Sequence, residues 1–142
     1  MTIKEAYGYT KQIIALLESA NLPVADLPEN PDNFFVAIKN DEVIGVIGME
    51  IHGGYGLLRS LAVSAAYRGL GIAGELITRI EALGRLKGLT GLYLLTETAP
   101  DYFSKKGFVQ TDRALVPPEV QQSSEFSHVC PVSAIVMNKS LL

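Results

Sequence analysis

The sequence predicts an α+β fold: a mixed, mainly antiparallel sheet flanked by helices on both faces. Two observations carry this expectation. Three strand-like runs between Phe34 and Ser64 are joined by hairpin signals, and from Gly71 the apolar spacing changes to threes and fours before short strands and helices alternate to the end. Doubly wound folds need crossover helices between their first strands, and none separates these.

Taken in order, Ile13, Ile14, Leu16 and Leu17 recur at helical spacing after Thr10, a residue suited to an N-cap, and Pro23 lies just past the expected end. The Pro-bearing stretch Asn21 to Asn33 reads as loose. Phe34 to Lys39, Glu42 to His52 and Tyr55 to Ser64 are rich in β-branched and aromatic residues, with Asn40-Asp41 and Gly53-Gly54 at turn positions, and predict a three-stranded meander. Ile72, Leu76, Ile77, Ile80 and Leu83 then form an apolar stripe with Glu75, Arg79, Glu81 and Arg85 opposite, up to Gly88. Leu92 to Thr96 reads as a buried strand and Ala99 to Lys106 as a short helix stopped by Gly107. Phe108 to Thr111 and Ala134 to Lys139 read as two last strands, with Pro117 to Ser127 a second loose, polar stretch.

A chain of 142 residues is expected to form one domain over 1–142. With 48% hydrophobic and 19% charged residues it can hide the roughly 70% of its unfolded surface that domains near this size bury, which excludes disorder as the main state. No apolar run approaches the ~20 residues of a membrane span. Lys4, Glu5, Lys11 and Glu18 interrupt the first twenty residues, so no signal peptide is expected either. One cysteine, Cys130, can form no internal disulfide, and two histidines without cysteine pairs give no zinc spacing; a reduced, cytoplasmic, metal-free protein is expected. The net charge of −3 argues against nucleic acid and leaves a small molecule as the expected partner.

The chemistry concentrates in Tyr67-Arg68-Gly69-Leu70-Gly71-Ile72-Ala73-Gly74, between the strand ending at Val63 and the amphipathic helix. Glycines here leave backbone N–H groups uncovered at a helix N-terminus, where the dipole favours a phosphate or pyrophosphate. Arg68 adds a charged fork. The simpler alternative is a ligand-free strand-to-helix turn. Gly69-x-Gly71-x-x-Gly74, with Glu97 some way beyond, also spells a dinucleotide fingerprint. Against that, Ser64 to Arg68 separate strand from glycine, the preceding strands are hairpins, and too little chain follows for a second nucleotide half. A nucleoside-triphosphate loop fails for want of Gly-Lys-Ser/Thr.

Arg68-x-x-Gly71-x-Ala73 resembles the acetyl-coenzyme A signature of the GNAT N-acetyltransferases, in which Gln or Arg stands three residues before Gly and five before Gly or Ala. Leu61-Ala62-Val63 before it and Lys106-Gly107-Phe108 after it agree, and the likeness runs from Phe35 to Val109. Pro117, Val120, Ser123, Glu125, Phe126, Cys130, Pro131, Ser133 and Ala134 are similar to the tail of small acetyltransferases from arsenic-resistance operons, and to the acetyltransferase domain of N-acetylglutamate synthases. The resemblance implies a GNAT-like fold and an acetyl-CoA-dependent transfer to the primary amine of a small molecule, an amino acid or amino-acid-like toxin. It also leaves a homodimer through the C-terminal strand region open.

By the same resemblance, acetyl-CoA lies against Leu61, Ala62, Val63, Arg68, Gly69, Leu70, Gly71, Ile72, Ala73, Gly74, Thr96 and Phe103, with a backbone N–H near Val63 facing the thioester oxygen. Many members carry a tyrosine acid four residues before the glycine of Gly107-Phe108, but that position is Phe103 here. Its neighbour Tyr102 is the substitute acid, or simply packs beneath the cofactor; a thiol with a pKa near 8.5 is a tolerable leaving group without one. Glu50 and Glu97 are candidate bases. Glu50 is placed across the hairpin on the face of Arg59, Leu61 and Val63, as base or as a cross-strand partner of Arg59, while Glu97 fits a helix N-terminus. Arg59, Glu50 and Ser124 are the expected acceptor contacts, with Arg59 receiving a carboxylate. Cys130, with His128 two residues away, offers an acetyl-enzyme route or a small core residue, and His52 is expected in solvent. A non-catalytic acyl-CoA-binding or sensing module is the alternative function.

Overall fold

The computed structural model of the chain describes residues 1–28, 31–123, 126 and 133–142. Seven strands, β1 (Thr2–Glu5), β2 (Phe34–Lys39), β3 (Glu42–His52), β4 (Tyr55–Val63), β5 (Gly91–Thr96), β6 (Val109–Gln110) and β7 (Ile135–Ser140), form a sheet of order β1-β2-β3-β4-β5-β7-β6. The helices are α1 (Thr10–Ser19), α2 (Ile72–Leu86), α3 (Pro100–Lys105) and α4 (Pro118–Gln121). The pairs β1·β2, β2·β3, β5·β7 and β6·β7 are antiparallel and β4·β5 is parallel, so the sheet is mixed and mostly antiparallel, as the sequence predicts.

The β2–β3 turn works because Asn40 and Asp41 both adopt left-handed conformations, at φ 52 and 62, whose twist suits a two-residue hairpin. At the far end of α2, Gly88 turns left-handed at φ 75, and the Leu89 N–H donates to the Gly84 carbonyl at 3.0 Å, closing the last turn.

The chain divides into two compact units, one comprising Met1–Met49 and Arg59–Leu83, the other Glu50–Leu58 and Gly84–Leu142. In the first, Ala6, Ile13, Leu16, Leu17, Phe34, Val36, Val46 and Ala62 form one apolar cluster. In the second, Leu57, Val116, Val120, Phe126 and Val136 form another, edged by Tyr55, Tyr93 and Leu95.

Several expectations change. The structure adds β1, whose Thr2-Ile3-Lys4-Glu5 has no apolar alternation because it is an edge strand paired only with β2. It also adds α4, a single turn with proline in its first helical position, inside the stretch read as loose. Thr10 is the first helical residue, Tyr9 the N-cap, and no side chain caps that end. Glu81, assigned to the polar side of α2, is buried, since it falls four residues after Ile77 and thus beside the apolar stripe. Among the described residues no helix is long and apolar enough to cross a membrane, and no group of three or more His, Cys, Asp or Glu could hold a metal ion.

Candidate functional site

In the first unit β4 runs out at Val63, and the Ser64 N–H donates to the Ile44 carbonyl of β3 at 2.8 Å, which fixes where the strand releases the chain. A 3-10 turn over Ala65–Tyr67 follows, Arg68 is extended, and Gly69 and Gly71 turn left-handed at φ 79 and 81 before α2 begins at Ile72. A Cβ built on either glycine would meet no atom within 4 Å. Glycine is therefore needed for backbone conformation, and the space beside it stays open to a ligand. The Glu75 N–H is taken by the Gly71 carbonyl at 3.1 Å, while the amides of the first helical turn ahead of it have no intrahelical acceptor.

The side chains of this turn point in different directions. Leu70 and Arg68 are exposed, Ala73 and Gly74 are half-buried, and Ile72 is buried, so only its main chain is on offer. Arg68 Nε donates to the Val63 carbonyl at 3.3 Å, tying the turn back to the end of β4. Gly45 on β3 lets α2 approach: a Cβ there would lie 3.1 Å from Leu76 Cδ1 and 3.3 Å from Ile72 Cγ2.

Strand β4 is irregular where the sequence reading took it as regular. Ser60 is left-handed at φ 59 within the strand, so counting by twos from Arg59 to Leu61 and Val63 does not establish a shared face. Ala62 packs into the apolar cluster while Leu61 and Val63 are half-buried. The parallel ladder with β5 covers Tyr55–Leu57 against Gly91–Tyr93 and stops, although β4 continues to Val63. Its later main-chain groups lie outside that ladder.

Arg59 is 4% exposed and already holds a carboxylate. Its Nη1 donates to Asp26 Oδ2 and its Nη2 to Asp26 Oδ1, both at 2.8 Å, and its Nε donates to Ser60 Oγ at 3.1 Å. A guanidinium buried this far requires a carboxylate, and the fork takes that of Asp26 in the Pro-bearing loop. Sequence reasoning missed Asp26 because 33 residues separate the partners; the demand for an acid near Arg59, applied to that loop, was the available signal.

In the second unit, the His52 Nε2–H donates to Glu50 Oε1 at 2.9 Å, with each side chain 24% exposed. His52 is thus half-buried on Glu50 and not free in solvent, as two residues apart on one strand allows. Thr96 is buried, and its Oγ1 accepts the Ala99 N–H at 3.1 Å, shaping the entry to α3. Glu97 is exposed and precedes that helix; the acid in its first turn is Asp101. Phe103 is buried, with its ring centroid 5.4 Å from Tyr102 and 5.8 Å from Phe108. Burial pushes the Tyr102 hydroxyl above its ordinary value of 10.0, so it stays protonated at neutral pH. Ser124, Glu125, His128, Cys130 and Pro131 lie outside the described residues.

Residues 30–110 match the family described as acetyltransferase (GNAT) domain. Among solved structures, the chain is similar to N-acetylglutamate synthase from Neisseria gonorrhoeae complexed with coenzyme A and N-acetyl-glutamate, at TM-score 0.84 and 18% identity over 99% of this chain. The chain spans only 35% of that protein's length. Rv2747 from Mycobacterium tuberculosis, in complex with CoA and NLQ, matches at TM-score 0.80 and 23% identity over the whole of both chains. A GNAT-family acetyltransferase from Staphylococcus aureus matches at TM-score 0.77 and 19% identity, over 99% of each.

Proposed function

The chain belongs to the acetyltransferase (GNAT) domain family, and from that premise we propose that it is an acetyl-CoA-dependent N-acetyltransferase acting on the primary amine of a small molecule by direct attack in a ternary complex. The observation that carries the reading is the turn at the start of α2: two left-handed glycines with clear space beside them, followed by helical amides without intrahelical acceptors. These are the features a pyrophosphate requires. We read residues 1–142 as a single acetyltransferase domain.

The co-substrate, when bound, supplies an activated acyl thioester; the amine nitrogen attacks its carbonyl carbon, a C–N bond forms, the C–S bond breaks, and the departing thiolate takes up the proton that the nitrogen sheds as the amide forms. Around this, the chain has four tasks. The amides of Gly69 to Gly74 and the dipole of α2 hold the pyrophosphate, with Arg68 alongside. The Val63 N–H, on the part of β4 outside the β5 ladder, donates to the developing oxyanion, a role typically worth about 3–4 kcal/mol. Glu50 receives the proton of the incoming ammonium, directly or through water, with the His52 N–H on its Oε1 fixing the carboxylate's orientation. Arg59 is read as the acceptor contact, and Thr96 and Phe103 as contacts of the co-substrate. Tyr102 is the candidate acid, and a thiol with a pKa near 8.5 can leave without its help.

The acceptor class we favour is an amino acid or amino-acid-like toxin, the class we associate with the arsenic-resistance group that the tail resembles. Support comes from the resemblance of the tail residues to that group and from the N-acetyl-glutamate that the gonococcal synthase holds with coenzyme A. The test has two arms. Calorimetry should give a micromolar-range affinity for acetyl-CoA that Gly71→Val abolishes while circular dichroism stays folded, despite the roughly 1–2 kcal/mol that a left-handed valine costs. Free-thiol release across a panel of amines then separates enzyme from sensor: binding without release for any amine would leave a non-catalytic acyl-CoA module.

A further inference from the structure

The guanidinium of Arg59 cannot give the same two N–H bonds to two carboxylates, and in this structure Asp26 holds both. The Arg59 side chain is 2% exposed and that of Asp26 12%, so the fork is shut away beneath the loop that carries the aspartate. Asp26 sits on the connection between α1 and β2, where Leu27 N–H donates to the Val24 carbonyl at 3.3 Å and forms a local turn. The Asp26 carbonyl also faces Nη1, at 3.5 Å. On the other side, the left-handed Ser60 places its hydroxyl on Nε, so the orientation of the guanidinium is set by β4 and its occupancy by the loop.

We propose that Asp26 is an internal competitor for the acceptor: its carboxylate occupies Arg59 until an anionic acceptor exchanges for it, so that Asp26 sets both the selectivity for a carboxylate-bearing amine and the opening of the 21–28 loop. This rests on the reading of Arg59 as an acceptor contact. The exchange is charge-neutral at the fork, one carboxylate for another, and it ties entry of an acidic group to release of the loop. A neutral amine has no group to exchange and leaves Asp26 in place. A guanidinium held by its own loop nine-tenths of the time weakens apparent acceptor affinity about tenfold.

The probes are L-glutamine and L-methionine, each beside the neutral-side-chain amine left when its α-carboxyl is removed, tested on acetyl-CoA-saturated protein. In Asp26→Asn the amide keeps the size of the side chain and removes the competing charge. At least one amino acid should bind about tenfold more tightly than to wild type, seen as a larger rise in thermal midpoint and a lower KM, while its decarboxylated amine is unchanged. Asp26→Glu, which keeps the charge, should show no such gain. If Asp26→Asn weakens amino acids selectively, Asp26 positions Arg59 and does not compete with its ligand; if no probe gains over wild type, the exchange does not occur. Either result overturns the proposal. Should Asp26→Asn fail to fold, wild type carries the same test: hydrogen exchange at Leu27 must quicken with an amino acid and not with its amine. The thermal and exchange readouts need no turnover, so an absence of thiol release would sink the acetyltransferase reading without deciding this one.

Discussion

The Phe103 ring meets both Tyr102 and Phe108 edge to face, and Lys106 Nζ lies 5.5 Å from the centroid of the Tyr102 ring. A phenylalanine so placed can pack but cannot transfer a proton, which leaves Tyr102 as the nearby hydroxyl. Because burial raises its pKa above 10.0, Tyr102 remains a neutral donor, yet one mismatched to a thiol of pKa near 8.5. We therefore expect Tyr102→Phe to lower kcat less than about tenfold, short of the roughly 10²–10⁴-fold supplied by a positioned acid. Acetyl-CoA affinity should be unchanged. A thousandfold loss in a folded variant would assign the acid to Tyr102. The same shift fixes a sign for stability. Below pH 10 both folded and unfolded forms keep the proton; as pH climbs from 10.0 through the raised value, only the folded form does, so stability falls in that window. Denaturant titration should show Tyr102→Phe losing less stability there than wild type. Single residues were also where the sequence was least legible: nothing about a serine announces the left-handed φ of Ser60, and Asp26 looks like any loop acid until the fold brings it to Arg59.

At the scale of elements the sequence was clearest where local chemistry decides the outcome. Asn40-Asp41 and the β-branched runs around it define β2 and β3, and the apolar stripe from Ile72 defines α2. β1 escaped because an edge strand exposed to water needs no alternation, and α4 because four residues make a single turn, in which no helical spacing can recur. The approach of α2 to β3 depends on Gly45, whose missing side chain admits Ile72 and Leu76. Gly45→Val adds bulk there and should cost about 1–3 kcal/mol by overpacking. It should also weaken acetyl-CoA binding, since the first turn of α2 must move. Gly48→Ala is the control: its Cβ would fall 2.4 Å from the Phe34 ring, away from α2, so stability should drop with little change in affinity. Equal affinity losses in the two variants would mean that general destabilisation, and not the seat of α2, governs binding.

For the whole molecule, the chain is acidic at −3 and the ligand assigned to it is a polyanion, so their long-range fields repel. Binding must then come from groups within a few ångströms of the phosphates. The turn offers chiefly neutral amide dipoles, and Arg68, its one cation between Tyr67 and Gly74, spends Nε on the Val63 carbonyl. Added salt acts in opposite directions on these contributions: it screens the repulsion of the whole chain, which strengthens binding, and it screens Arg68, which weakens it. Dipoles in direct contact with the ligand are little affected by either. Between about 50 and 300 mM salt, where the screening length falls from about 14 to about 6 Å, the affinity for acetyl-CoA should change by less than about threefold. Calorimetry over that range decides it. A fall of tenfold or more would place the binding energy in exposed lysines and arginines, and Gly69 and Gly71 would then be features of the turn's geometry alone.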